Sequence, residues 1–191
     1  FIEVRVRERG LEERVEIRLQ DYREIDTGTY DAVASIEMGE HVGAKNYDVY
    51  TATLFRLLKP EGRLLLQQMS RDGAPGGGAF IESYIAPDMT MVPLGTTANN
   101  IERAGFEIHD VEGLRPHYAL TLRHWVQRLE ARRDEALREV DEPTYRVWRL
   151  YMAACALEFE SGGTGIYQIV ASKRDGGAWP VPLTRRDLYR G

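Results

Sequence analysis

Glu40 and His41 are the residues whose types and position first indicate chemistry. They lie in the stretch IEMGEHVGAKNY, just past the short apolar run DAVASI at 31–36. Such a run is typical of a buried parallel strand, and open α/β sheets place their sites at the carboxyl ends of these strands. A glutamate there indicates a catalytic role. From spacing alone, the alternative is a capping or salt-bridging carboxylate in the turn that starts the next helix.

Other reactive residue types favour structural roles. The four histidines are scattered without paired acids at metal-ligand spacing, so we expect no metal site. Cys155 is the only cysteine and lies in the apolar stretch YMAACALEF, where a helix-core position is expected. The glycines at 76–78 lack the strand and lysine that a phosphate-binding loop requires.

Composition limits the class of protein. A chain of 191 residues with 43% hydrophobic and 29% charged residues is an ordinary globular domain. Its net charge of −5 argues against a broad nucleic-acid surface, because phosphate binding needs a basic field. A single cysteine excludes a disulfide framework and favours a reducing compartment. No apolar run approaches the roughly 20 residues that span a bilayer.

The elements that must position Glu40 follow from hydrophobic periodicity. Strands are predicted at 15–19, 31–36, 63–69, 106–112 and 161–174. Helices are predicted over 1–10, 46–60, 81–89, 96–105, 119–139 and 142–160. This alternation favours an α/β fold with an open, mostly parallel sheet and helices on both faces.

A series of motifs carries a family resemblance over nearly the whole chain up to about Arg174. The series is LQDYRE (19–24), DAVASIEMGEHVGAKNY (31–47), LFRLLKPEGRLLLQ (54–67), FIESYIAPD (80–88), AGFE (104–107) and LRPHYALTLRHW (114–125). In this order it resembles the cyclopropane-fatty-acyl-phospholipid synthases and the mycolic acid cyclopropane synthases. These are class I methyltransferases that depend on S-adenosylmethionine, so the resemblance implies their Rossmann-like sheet.

Part of the family pattern is absent from this sequence. The missing parts are the glycine-rich methionine-binding loop, the second strand with its ribose-binding acid, and a catalytic cysteine. A strand at 15–19 would then have no neighbour to pair with. We therefore expect residues 1–174 to be the C-terminal portion of a larger methyltransferase catalytic domain whose N-terminal cofactor-loop strands are missing, and residues 175–191 to be an irregular tail.

The resemblance implies the residues of the site. The family adds a methyl group to a cis double bond in a lipid acyl chain, and a bound bicarbonate then takes up a proton. Glu40 and Tyr118 match the family's anion-binding glutamate and tyrosine, and Ile36 matches an isoleucine whose backbone faces the anion. Asp21, Tyr22 and Arg23 match the loop that flanks the adenine of S-adenosylmethionine.

Gln67 departs from the family pattern. Cyclopropane synthases have a histidine here, and a neutral amide can donate a hydrogen bond to bicarbonate but cannot take its proton. Relatives with glutamine resemble the actinobacterial enzymes that make 10-methylene fatty acids, which a flavin-dependent reductase saturates. The excess of arginine over lysine, 22 to 3, favours the same source.

The expected function is therefore S-adenosylmethionine-dependent methylation of unsaturated phospholipid acyl chains, giving a 10-methylene or 10-methyl product. Cyclopropane formation is the alternative within the family. A non-catalytic module that binds lipid or a reductase is the alternative outside it. We expect a cytoplasmic protein with peripheral contact at the inner face of the membrane. The glycines at 76–78 are interpreted as a lid before a helix that lines an acyl tunnel.

Overall fold

A mixed β-sheet organises the part of the chain that the computed structural model describes, which is residues 1–26, 28–73, 76–174, 177 and 181–189. The strands are β1 Tyr30–Ile36, β2 Leu58–Ser70, β3 Phe106–Gly113 and β4 Gly165–Lys173, in the spatial order β1-β2-β4-β3. The helices are α1 Ile2–Glu8, α2 Tyr47–Leu57, α3 Ala79–Tyr84, α4 Leu94–Arg103, α5 Arg115–Ala131, α6 Arg133–Glu139 and α7 Glu142–Ser161. The α/β class predicted from the sequence is confirmed.

The sheet is less parallel than the alternation of elements predicts. β1 pairs with β2 in parallel, but β4 is antiparallel to both β2 and β3. The reason lies in α5 and α7, which pack against each other and return the chain to the end of the sheet where β3 stops. There Leu114 N–H donates to the Ile166 carbonyl at 2.9 Å, so β4 starts beside the end of β3 and runs back along it.

The segment at 15–19 does not form the predicted strand, and that prediction is wrong. It lies outside every ladder of the described sheet, and Leu19 is fully exposed. Alternation of apolar residues is insufficient here, because a strand is stable only when a neighbour pairs with its backbone groups. Local polar contacts replace a ladder: Arg18 donates to Glu16 at 2.6 Å.

The other predicted elements are present with shifted ends. The predicted helix at 119–139 is two helices, because Arg132 adopts a non-helical backbone with φ −115° and ψ 33° between α5 and α6. α7 has the local signals of a regular helix: the Asp141 side chain accepts from Thr144 N–H at 2.9 Å, and Gly162 ends the helix in the left-handed region. None of the helices in the described ranges is long and apolar enough to cross a membrane.

The sheet has an apolar core on each face. Alternate β2 residues Leu64 and Leu66 are buried with residues of α2 and α4. Met69, whose side chain lies on the opposite face, packs with residues of α5, α7 and β4, including Leu122, Phe159 and Ile166. Full burial of each such side chain stabilises the fold by about 1.5–3 kcal/mol. These cores hold the carboxyl ends of β1 and β2 together, where the candidate site lies.

Candidate functional site

Glu40 is buried just beyond the end of β1. It lies in a 3-10 helix, Gly39–His41, and only 1% of its surface is exposed. Its Oε1 atom accepts a hydrogen bond from the Met69 N–H on β2, and its carbonyl accepts from Thr90 N–H at 2.6 Å. Its Oε2 atom has no hydrogen-bond partner among the described residues. A buried polar atom without a partner is costly, so Oε2 is free to bind a ligand or a proton.

The electrostatic surroundings of Glu40 favour its neutral form. Burial raises the pKa of the carboxyl group to about 7, and the neighbouring Glu37 carboxylate also raises it. The hydrogen bond from Met69 acts in the opposite direction and lowers the pKa. Near neutral pH both the protonated and the ionised form are therefore populated, which suits a group that exchanges protons.

The loop that carries Glu40 can reach this position because residue 39 is glycine. A Cβ atom added to Gly39 would lie 2.1 Å from Oε1 of the buried Gln68 side chain. That amide is fixed, since its Oε1 accepts from the Tyr47 hydroxyl at 2.7 Å and its Nε2 donates to Thr97 Oγ1 at 3.0 Å. Because the loop approaches β2 closely, the Glu40 carboxylate can accept the hydrogen bond from Met69 N–H.

Gln67 lies on the opposite face of β2 from Gln68 and belongs to a chain of amide hydrogen bonds. Gln168 on β4 donates from Nε2 to Gln67 Oε1 at 2.7 Å. Gln67 in turn donates from Nε2 to Glu37 Oε1 at 3.1 Å. Glu37 is the residue that follows β1, and it adopts a left-handed backbone conformation with φ 52°. This chain of hydrogen bonds thus connects β4, β2 and the residue that follows β1, at the end of the sheet where Glu40 lies.

Tyr118 is half-buried near the start of α5. Its ring packs against Phe159 of α7, with the ring centroids 5.1 Å apart, and contacts Trp125 edge-on. Burial raises the pKa of the phenol, and the carboxylates of Glu37 and Glu40 raise it further.

Ile36 is the last residue of β1, with a side chain that is half exposed. It pairs in register with Gln67. The backbone N–H that binds the Glu40 carboxylate belongs to Met69 rather than to a residue beside Ile36. An anion contact by the backbone near Ile36 stays a prediction.

Asp21, Tyr22 and Arg23 form a compact turn at the edge of the described fold. Asp21 caps the 3-10 helix Tyr22–Glu24 by accepting from Arg23 N–H, and it also binds the Arg23 guanidinium at 2.6 Å. The side-chain hydrogen bond from Arg23 lowers the pKa of Asp21 to about 2. Tyr22 packs edge-on against Tyr50 at 5.8 Å. Both oxygens of Asp21 thus bind Arg23, and a contact of this turn with adenine stays a prediction.

A mostly apolar pocket of about 290 Å³ lies next to the residues that hold Glu40. Met69 is in its wall, as are Met89 and Met91, which flank the residue bonded to the Glu40 carbonyl. α3 contributes Phe80 and Ile81. Part of the glycine-rich loop before α3, residues 74–75, lies outside the described residues. The apolar part of this lining can contact an apolar chain.

The predicted site residues thus take different positions. Glu40 binds the backbone of β2 at Met69, Gln67 projects from the face of β2 opposite Gln68, and Tyr118 lies on α5. None of the three is among the described residues that line the pocket, and their convergence on one site stays a prediction. The turn at 21–23 packs against α2 through Tyr22. Sequence reasoning missed Glu37, whose only signal is its place three residues before Glu40. It also missed Met69 and Gln168, whose roles depend on strand register.

His41 and His109 take other roles. His41 Nδ1 lies 3.2 Å from Asp88 Oδ1. His109 Nε2 lies 2.7 Å from Oγ of Ser172 on the neighbouring strand β4, which agrees with a structural position in β3.

Comparison with known proteins identifies relatives of this chain. A sequence profile of the family described as mycolic acid cyclopropane synthetase matches residues 2–169. A probable fatty acid methyltransferase of Pseudomonas putida is 39% identical over 194 residues, which cover 97% of this chain and 49% of that protein. The tuberculostearic acid methyltransferase UfaA1 of Mycobacterium tuberculosis is 38% identical over 172 residues, covering 86% of this chain and 40% of the relative. The chain thus spans about half the length or less of these curated relatives.

The fold matches a solved structure of the same kind. The mycolic acid cyclopropane synthase CmaA1, complexed with SAH and CTAB, superimposes with a TM-score of 0.77 at 25% sequence identity. The match covers 86% of this chain and 65% of that one. The Rossmann-like methyltransferase fold expected from the sequence is confirmed.

Proposed function

The chain belongs to the mycolic acid cyclopropane synthetase family, and from this premise we propose that its protein methylates lipids. In this proposal a methyl group passes from S-adenosylmethionine to the cis double bond of an unsaturated acyl chain in a phospholipid. The names of two relatives, a probable fatty acid methyltransferase and a tuberculostearic acid methyltransferase, support a fatty acyl substrate.

One observation carries the proposal: a buried carboxylate with an unpartnered oxygen among the described residues is hydrogen-bonded to the backbone of Met69, a residue in the wall of a mostly apolar pocket. An alkene is a weak nucleophile, and its methylation produces a carbocation, so the reactants must be aligned where water cannot intervene. Met69, Met89 and Phe80 provide an apolar surface for the acyl chain. Glu40 provides a group able to exchange a proton beside it.

Further residues take supporting roles in the proposal. Tyr118 presents an aromatic ring, whose face stabilises passing positive charge, and a hydroxyl that can bind an anion. Asp21 accepts from the adenine amino group and Tyr22 contacts the adenine ring, while Arg23 holds Asp21 in place. S-adenosylmethionine supplies an activated methyl group on a sulfonium. The side chains position both partners.

We favour a 10-methylene or 10-methyl product, because Gln67 replaces the histidine of cyclopropane synthases. UfaA1, named for tuberculostearic acid, supports this choice. Cyclopropane formation is the second candidate, favoured by the family's description. A methylene product would need a separate reductase, and a flavin-dependent one is proposed as partner.

Two remaining parts of the proposal, bicarbonate binding and membrane contact, rest on different observations. The amide of Gln67 and the N–H of Met69 already bind carboxylates of this chain, so no step is assigned to bicarbonate. Peripheral contact at the inner face of the membrane is supported by α5 and α7, which expose large apolar residues: Leu120, Trp125, Trp148, Leu150 and Leu157. Apolar side chains beside arginines suit a surface of anionic lipid.

The test is mass spectrometry of membrane lipids from cells that express the complete gene. We expect a new acyl species heavier than the parent unsaturated chain, carrying a methylene or methyl branch. A Glu40→Gln variant should lower the yield of every product, whereas the exposed Glu102→Gln serves as matched control and should not. Absence of any methylated acyl chain in cells that contain the folded protein would reject the proposal.

Two further measurements separate the alternatives. Thermal unfolding with and without S-adenosylmethionine distinguishes an enzyme from a module that does not bind the cofactor, since a ligand stabilises the state it binds. Gln67→His should raise the cyclopropane fraction. A change of about 1.4 kcal/mol between competing barriers alters the product ratio tenfold, so an unchanged ratio in the active variant would remove residue 67 from the determinants of the product.

A further inference from the structure

Residues 88–92 form a short segment between the loop that carries Glu40 and the mostly apolar pocket. Met89 and Met91 of this segment are buried, with 7% and 5% of their surfaces exposed, and both line the pocket. Between them, the Thr90 N–H donates to the Glu40 carbonyl at 2.6 Å. The segment therefore contacts the pocket through its side chains and the loop through its backbone.

Both ends of this segment are attached to neighbouring parts of the site. At one end, Asp88 Oδ1 lies 3.2 Å from Nδ1 of His41, in the loop beyond β1. At the other end, Val92 pairs with the end of β2 in a parallel bridge, and its carbonyl accepts from Arg71 N–H at 3.3 Å. The contact of Asp88 is exposed to solvent and contributes little, so the backbone hydrogen bonds hold the segment in place.

The packing of the two methionines connects this segment to the second contact of Glu40. Met89 and Met91 form one apolar cluster with Met69 of β2. The backbone N–H of Met69 donates to the Glu40 carboxylate. The same cluster thus supports the donor to the carboxylate, Met69, and the donor to the carbonyl, Thr90. Methionine side chains are unbranched and flexible, so such a cluster adapts its packing when an apolar ligand fills the space beside it.

α3 lines the same pocket without this connection. Phe80 and Ile81 are in the pocket wall. No hydrogen bond joins α3 to the 3-10 helix Gly39–His41 in the part of the chain that the structure describes. Residues of α3 therefore contribute to the binding of a ligand in the pocket, whereas Met89 and Met91 also affect the loop beside it.

We propose that segment 88–92 is a positioning element, which makes the placement of Glu40 depend on an acyl chain that fills the pocket. The inference rests on the proposed function, because it takes an acyl chain as the ligand. A chain in contact with Met89 and Met91 holds the segment in one position. Thr90 N–H then fixes the main chain of Glu40, whose carboxylate reaches β2.

The consequence is selectivity for chains that fill the pocket. Binding energy from remote parts of a substrate is used to align the reacting groups, so a truncated substrate loses kcat as well as affinity. An unsaturated chain too short to contact both methionines should bind, but it should leave the segment, and with it Glu40, less well placed. A misplacement of about 1 Å can lower the rate about 100-fold.

The first experiment compares kcat and KM of full-length variants on vesicles of dioleoyl phospholipid with S-adenosylmethionine. Met91→Ala should lower kcat by roughly 10- to 100-fold, because it removes an anchor of the segment. Ile81→Ala is the matched control from α3. It should raise KM and leave kcat within about twofold of the parent, as expected for a contact made equally in the ground state and the transition state. Met91→Leu, of similar volume, should retain kcat. A Met91→Ala enzyme in which only KM changes would overturn the inference.

A second experiment uses the parent protein and does not depend on turnover. Hydrogen–deuterium exchange is measured with and without oleoyl lysophosphatidylglycerol, a single-chain probe of the pocket. At about ten times the Kd of the probe, exchange should slow about tenfold in peptides over 37–42 and 88–92, as well as in α3.

The outcomes of the second experiment separate the two proposals. Slower exchange in α3 with no change over 37–42 would overturn the inference and leave the proposed function in place. Unchanged exchange in all three regions would overturn the inference together with the pocket as an acyl site. A parent with no methylated product on the vesicles would instead reject the proposed function.

Discussion

Replacement of Glu40 by glutamine should change how the stability of the protein depends on pH. Burial raises the pKa of Glu40 to about 7 in the folded state, from an ordinary value of 4.5. Between these two values the folded protein holds a proton that the unfolded chain has released. Stability therefore falls as pH rises through this window, and it is fully present only below about pH 4.5.

The size of the effect follows from the two pKa values. At about 1.4 kcal/mol per pKa unit, a group that titrates at about 7 when folded and 4.5 when unfolded costs the fold about 3 kcal/mol above pH 7. For a chain of 191 residues this corresponds to roughly 6–12 °C in Tm. Glu40→Gln cannot ionise, so this part of the pH dependence should disappear. Its buried amide adds a constant penalty that does not depend on pH.

The assay is thermal or urea unfolding of the parent and the variant from pH 5 to pH 8.5. The difference in free energy of unfolding between them should shift by about 2.5 kcal/mol in favour of the variant between pH 5 and pH 8.5, because part of the effect is already present at pH 5. Glu102→Gln, at an exposed position of α4, controls for the loss of a surface charge. Parallel curves for the parent and Glu40→Gln would refute a raised pKa at Glu40, and with it the assignment of a proton-exchanging group.

Three further changes test the packing around the site and the tail. Gly39→Ala should destabilise the fold by about 1–3 kcal/mol, because its Cβ would lie 2.1 Å from a buried amide, whereas Gly95→Ala, with no atom within 4 Å, should not; equal unfolding curves would contradict this. Glu61→Gly should raise stability by up to about 1 kcal/mol, since φ is 61° at this exposed position near the start of β2; a loss of stability measured by calorimetry would contradict this. Arg185→Ala removes an ion pair with Asp110 and should cost less than about 1 kcal/mol while exposing residues 181–189 to protease; unchanged cleavage would show that this pair does not hold the tail.

Local signals in the sequence were sufficient for most elements. Apolar residues at helical spacing predicted α2 and α7. α7 also has capping residues in its own sequence, Asp141 at its start and Gly162 at its end. The apolar run at 31–36 predicted β1 and thereby the place of Glu40 at a strand end. These features depend on residues close in the chain, so the sequence alone determines them. The family motifs then supplied the fold of the whole domain.

The tertiary structure decided what depends on distant residues. The segment at 15–19 alternates like a strand, yet it has no pairing partner in the described sheet and does not form a strand. The antiparallel direction of β4 follows from how α5 and α7 pack. Gln168 donates a hydrogen bond to Gln67, which is 101 residues away in the chain, and Gln67 donates to Glu37. Both hydrogen bonds depend on the register of the strands. The raised pKa of Glu40 likewise comes from burial, which is a property of the assembled fold. Side-chain type sets what a residue can do chemically, but only packing fixes its neighbours, and the neighbours determine its protonation.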